Sequence, residues 1–199
     1  MAIAKLSLDL LAMAAEDLRV RVELARSGVL FEGYHPRMRE VHDRNAARLL
    51  AILDEHGWPC RSVVGEEAAE AAWLILQHAI GHPALQRRGL ALLKAAAEAG
   101  EVSLYHVAML EDRIHCSEGK RQIFGTQFDW DEHGLLSPLP IDDESNVDIR
   151  RREVGLIPLA DDIENKRAAA AKQSERPPRD WHARQRDKER WLHSAGWRT

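Results

Sequence analysis

Residues 71–82 read AAWLILQHAIGH. From Ala68 to Leu76 the chain is apolar or small at nearly every position apart from Glu70. A helix that is apolar on nearly every face belongs inside a core rather than on its surface. The run then ends in an amide and an imidazole, Gln77 and His78, before Gly81 and Pro83 break it. A buried imidazole needs hydrogen-bond partners. The segment therefore sets the centre of the fold and raises the question of a site at its end.

Helical spacing continues on both sides. Glu66 and Glu67 open the central helix, where the dipole favours negative charge. Upstream, residues 3–26 place Leu6, Leu10, Met13 and Leu18 at helical spacing, and Gly28 follows. Asp9, Glu16 and Asp17 interrupt the apolar character, so this start reads as an amphipathic helix rather than a leader. A second helix opens at Pro36, carries Met38, Val41, Ala46, Leu49, Leu50 and Leu53, and stops at Gly57-Trp58-Pro59. Downstream, helices are expected over 83–99 and 103–119, with Ser103 as an N-cap.

The period then changes. QIFGTQFDW (122–130) and GLLSPLPI (134–141) flank Asp131-Glu132-His133-Gly134, which reads as a hairpin turn. Short helices follow near 146–153 and 158–173. Arg176-Pro177-Pro178 breaks the chain, and a Trp-bearing helix spans 180–194. The expected fold is mainly α: a helical bundle with a small β-hairpin after the fifth helix. One helical domain is expected over 1–163, with the hairpin near 121–141. A basic, Trp-bearing helical extension follows over 164–199.

Composition restricts the function classes. The 199 residues are 45% hydrophobic and 30% charged, with net charge −4, an ordinary globular balance. Such a charge does not point to nucleic acid. Residues 166–199 nevertheless hold ten Lys or Arg against four Asp or Glu, so an acidic body precedes a basic tail. Two distant cysteines, Cys60 and Cys116, form no zinc or disulfide pattern and suit a reducing, cytoplasmic setting. No apolar run is long enough to span a membrane.

Several separated motifs occur in one order: Gly57-Trp58-Pro59, Val64-Gly65, AAWLILQHA, Gln86, Glu111-Asp112-Arg113, GKRQIFGTQ (119–127) and NVDIRRREVGLIPLADDI (146–163). In this the chain resembles an uncharacterised bacterial domain family with no established activity, over roughly 22–163. Members usually have Tyr-Gly-Thr-Gln where this chain has Phe124-Gly125-Thr126-Gln127, which argues against a catalytic phenol at 124. Members also often carry an aspartate where this chain reads Ile80-Gly81-His82.

Among the polar residues, His78 is the expected catalytic acid or base, its pKa set by its partners. The alternative is a core histidine held by a backbone carbonyl or by Gln77. Asp112 is expected to orient it or share the proton work. Arg113 would hold an anionic group bidentately, unless it is part of a structural ion pair. Gln77, Gln86, Thr126 and Gln127 form an amide- and hydroxyl-rich set suited to ligand recognition. His78 and His82 are four apart, as in helical metal pairs. Gly81 and Pro83 spoil that helix, and a third ligand would have to come from Asp112, His115 or Glu118. No metal and no cofactor is expected. There is no nucleophile elbow, phosphate loop or dinucleotide fingerprint.

The expected function is a polar pocket around Gln77 and His78 that binds a small polar or anionic molecule. It would serve a cofactor-independent general acid/base hydrolase, transferase or isomerase. The alternative is a non-catalytic sensor or protein-interaction module using the helical body and the basic tail. Trp181, Trp191 and Trp197 among basic residues could meet single-stranded nucleic acid or an anionic surface. Docking of the tryptophans on the acidic body is the expected reading, with a protein partner through the tail as a further one.

Overall fold

A computed structural model describes residues 2–28, 33–173 and 175–199. The chain falls into two compact units, one ending at Val102 and one running from Ser103 to Thr199.

The first unit is all helical. α1 (Ala2–Arg26) buries Leu6, Leu10, Ala14, Asp17, Val20 and Leu24, spaced three or four residues apart. This stripe differs from the expected one: Leu18 lies on the exposed face, and the aspartate at 17 lies on the buried one. α2 (Pro36–His56) begins with Pro36 in its first turn and His35 accepting from Arg37 N at 3.2 Å. Its buried stripe is Met38, Val41, His42, Asn45, Ala46, Leu49, Ile52 and Leu53. A four-residue helix, α3 (Arg61–Val64), sits between Pro59 and Gly65; a single turn carries no periodicity, so only the structure shows it.

α4 (Glu66–His78) is the central helix read from sequence. Ala72, Ile75 and Leu76 are at most 1% exposed, and α1 packs along it. α5 (Pro83–Glu98) closes against it so tightly that a Cβ on Gly89 would stand 2.5 Å from Leu76 Cδ2. Gln86, on the same buried face, donates from Nε2 to the carbonyls of Leu76 (2.9 Å) and Gln77 (3.1 Å). It thereby adds a second donor to the Leu76 carbonyl, which Ala79 N also reaches at 3.2 Å, and supplies one to the Gln77 carbonyl at the end of α4.

The second unit starts with α6 (Leu104–Ser117), capped by Ser103, whose Oγ accepts from Tyr105 N at 3.2 Å. The hairpin pairs β1 (Phe128–Trp130) antiparallel with β2 (Leu136–Pro138), Asp129 opposite Ser137. Its turn is held by Asp131 Oδ1, which accepts from His133 N at 3.0 Å and Leu135 N at 2.8 Å. The hairpin follows the sixth helix rather than the fifth because of the added α3. α7 (Val147–Glu153), α8 (Leu159–Lys172) and α9 (Trp181–Ser194) complete the unit. The expected domain boundary at 163 lies inside α8.

Ile141, Val147 and Leu159 form a small core here, joined by Phe128 and Ile163. Beside it the guanidinium of Arg151, fully buried, donates to Ile157 O (2.7 Å), Phe124 O (2.7 Å), Gly125 O (3.1 Å) and Asp162 (2.8 Å). Four partners across its fork make burial of this charge tolerable. α9 docks on the hairpin: Trp181 Nε1 donates to Trp130 O at 2.8 Å, and Arg184 and Lys188 each reach an Asp129 oxygen at 2.8 Å.

Candidate functional site

Three polar residues of the first unit occupy positions where helix packing otherwise selects apolar side chains. Asp17 lies in the α1 stripe between Ala14 and Val20, His42 lies in the α2 stripe beside Val41, and His78 ends α4. Their side chains meet. His78 Nδ1 is 2.9 Å from Asp17 Oδ1, and His42 Nε2 is 3.3 Å from Asp17 Oδ2. The two imidazole rings are tilted with centroids 5.3 Å apart. On the far side of His42, Tyr34 places its hydroxyl 2.8 Å from Nδ1 and stacks on the ring. Tyr34 also packs on the cluster of Val20, Leu24, Met38 and Val41, which fixes the phenol in place.

The side chain of Asp17 is 0% exposed, that of His42 9% and that of His78 18%. The cluster is thus closed around the carboxylate and opens on the His78 side. Burial pushes the Asp17 carboxyl up, and the two imidazoles more than offset this and hold it well below the ordinary carboxylate range. Burial, with Asp43 nearby, pushes the Tyr34 phenol well above its usual value, so the hydroxyl keeps its proton. A carboxylate only accepts hydrogen bonds, so His78 Nδ1 must carry the hydrogen that Asp17 Oδ1 receives. In a neutral ring the lone pair then sits on Nε2, which has no partner among the described residues.

Two buried atoms of the cluster lack a hydrogen bond: Asp17 Oδ2 and His42 Nε2, which face each other at 3.3 Å without the geometry of one. One ligand atom each from Asp17, His42 and His78 lies within 4.8 Å of the others. Such a group can hold a proton or a cation.

The residues expected from sequence fall into two sets. Gln77 and Gln86 adjoin His78 in the first unit, Gln86 through its bonds to α4 carbonyls; the Oε1 of each is buried without a partner. His82 Nε2 is engaged by Asp43 at 2.8 Å on the exposed surface. Asp112, Arg113, Thr126 and Gln127 belong to the second unit. Asp112, fully buried, accepts from Ile123 N (2.6 Å), Phe124 N (3.1 Å), Thr126 N (2.9 Å) and Thr126 Oγ1 (2.9 Å). Gln127 Nε2 donates to Thr126 Oγ1 at 3.1 Å, and its backbone N–H to Gln122 Oε1 at 2.8 Å. The Gly-Thr-Gln motif is therefore a loop closed on an aspartate. Arg113 forms no ion pair among the described residues, and burial pulls its guanidinium down to about 10.

Asp17, His42 and Tyr34 were not singled out from sequence. The available signal was an aspartate and a histidine at stripe spacing, Asp17 three residues after Ala14 and His42 four after Met38.

The model of a family of unknown function, DUF6624, matches residues 4–172. The chain belongs to this family. The matched stretch of DUF6624 contains Asp17, Tyr34, His42 and His78, as well as Asp112 and Arg151, and ends before α9. No curated protein and no solved structure matches the chain.

Proposed function

We propose that this DUF6624 chain is a general acid/base enzyme, a hydrolase, transferase or isomerase acting on a small polar or anionic molecule, with His78 as the proton-transferring group. One observation carries the reading: His78 Nδ1 is held 2.9 Å from a fully buried carboxylate, Asp17, on a ring that is itself partly open. A buried carboxylate behind an imidazole fixes its tautomer and stabilises the imidazolium formed when the other nitrogen takes a proton. Nε2 is then the nitrogen offered to a water or a substrate hydroxyl. Asp17 takes the orienting role that the sequence reading gave to Asp112, whose oxygens are occupied by its loop.

The test is turnover by the full chain on a panel of activated carboxylic esters, phosphate esters and amides. Turnover of at least one class is expected, falling by about 10³-fold or more in Asp17→Asn and His78→Gln, with circular dichroism showing both variants folded. Equal turnover in wild type and both variants refutes the reading.

A second reading is a non-catalytic module that binds a protein partner through its C-terminal helix. Arg176, Arg179, Arg186 and Arg190 are exposed and support it. Deleting residues 173–199 would abolish partner capture on that reading and leave turnover intact on the first.

A further inference from the structure

We propose that Asp17, His42 and His78 form a binding site for one divalent transition-metal ion of the zinc class. The inference rests on this cluster being the working site and adds the group that activates water there.

The donor set comes from three helices, so packing rather than loop conformation fixes its geometry. Two ligands bound at about 2.0–2.1 Å in tetrahedral geometry stand about 3.3 Å apart. Asp17 Oδ2 and His42 Nε2 stand 3.3 Å apart, and Asp17 Oδ1 and His78 Nδ1 2.9 Å. All three ligand atoms lie within 4.8 Å of one another.

The unbonded pair is the decisive feature. A carboxylate oxygen and an imidazole nitrogen, both in residues more than nine-tenths buried, face each other without forming a hydrogen bond. Leaving such atoms unsatisfied is costly. A cation between them satisfies both.

Tyr34 supplies the outer partner that metal-bound imidazoles characteristically have. With an ion on His42 Nε2 the ring's hydrogen would sit on Nδ1, where the Tyr34 phenol oxygen, 2.8 Å away, would accept it. Imidazole and carboxylate donors without thiolate select zinc, cobalt or iron(II) over calcium, magnesium or copper(I). Three protein ligands leave a position for water on the His78 side, as in catalytic rather than structural sites. The ion would lower the pKa of that water, which loses a proton to solvent while its oxygen keeps the electron pair. In that form the hydrogen of the His78 ring sits on Nε2, Nδ1 gives its lone pair to the ion in place of its bond to Asp17 Oδ1, and the metal-bound hydroxide takes over the role of base. The expected helical His78–His82 pair is not this site, since His82 pairs with Asp43.

The experiment is calorimetric titration of the chelator-stripped full chain with Zn2+, paralleled by the visible spectrum of the Co2+ form. One ion per chain is expected, with an intense tetrahedral or five-coordinate Co2+ spectrum. His42→Gln and Asp17→Asn should each weaken binding by at least about 100-fold and Tyr34→Phe by about 10-fold. His82→Ala should leave binding unchanged. Circular dichroism checks each fold, and Tyr34→Phe keeps the test open if replacing Asp17 unfolds the chain. Equal Zn2+ affinity in wild type and folded His42→Gln, or loss of binding in His82→Ala, overturns the site. Turnover that needs Asp17 and His78 but proceeds at full rate in the stripped protein overturns the metal and leaves the acid/base reading standing. Tight Zn2+ binding that is lost in folded His42→Gln and Asp17→Asn, with no turnover of any substrate class in either the stripped or the Zn2+ form, upholds the metal and overturns the acid/base reading.

Discussion

Asp17 and Asp112 are both fully buried aspartates, yet their surroundings give them different work. Both Asp112 oxygens are met by donors from one loop, three backbone N–H groups and a hydroxyl. Asp17 receives one hydrogen bond, at Oδ1, and Oδ2 receives none. The first is a clamp; the second keeps capacity to bind something else. Replacing Asp112 by Asn would turn an amide NH2 toward the loop's donors. The loss expected is about 2–4 kcal/mol of stability, measured by urea unfolding of the full chain; a loss under about 1 kcal/mol would contradict the clamp. His78 was legible because, with Gln77, it ends the apolar run that follows Glu70. Asp17 and His42 were not, because in a helix with alternating polar residues one buried aspartate looks like any surface one.

Helix contacts in this chain are set by small residues and by ion pairs at defined positions. At Gly89 the missing side chain lets α5 approach α4. Gly89→Ala would drive a methyl into Leu76, which is itself fully buried. The expected cost is about 1–3 kcal/mol from overpacking, against the small gain of removing a helical glycine; an unchanged or raised Tm would show that the helices can part freely. α9 depends instead on Asp129. Burial pushes that carboxyl up, and Lys188 and Arg184 more than offset it, so its folded pKa lies below the ordinary value. A carboxyl with a depressed folded pKa stabilises the native state above its unfolded value, about 3.9, and loses that contribution as pH falls through the folded value. Below about pH 4, therefore, α9 should loosen, seen as a change in tryptophan fluorescence and faster amide exchange over 181–194. Asp129→Asn should weaken the docking at neutral pH and flatten the acid dependence. The same acid response in Asp129→Asn as in wild type would assign the loosening to other groups.

Over the whole molecule, all members of the Asp17, His42, His78 and Tyr34 cluster lie in the unit that ends at Val102, and the contacts of α9 with the hairpin lie in the other. α9 also lies beyond the stretch matched to DUF6624. Ending the chain at Lys172 should therefore destabilise the second unit, exposing Trp130 and unpairing Asp129. Zn2+ affinity should stay within about threefold of wild type, a difference of under 1 kcal/mol. A tenfold loss would tie the tail to the site. The basic character of residues 166–199 is partly used inside the fold, on Asp129, Asp162 and Glu189. No helix among the described residues is long and apolar enough to cross a membrane.

Sequence periodicity alone determined the mainly α class, the central helix to within a residue of its end at His78, and the hairpin around Asp131. These are short-range properties, written in spacings of two to four residues. The partner of His78 was beyond that range. Asp17 lies 61 residues away, and any buried carboxylate could have met the imidazole equally well on sequence grounds. Periodicity assigns a residue to the inner face of its helix, but which inner faces meet is decided by how the helices pack. Tertiary packing chose Asp17 and His42 for His78, gave Asp112 to its own loop, and left one carboxylate oxygen and one imidazole nitrogen facing each other without a hydrogen bond.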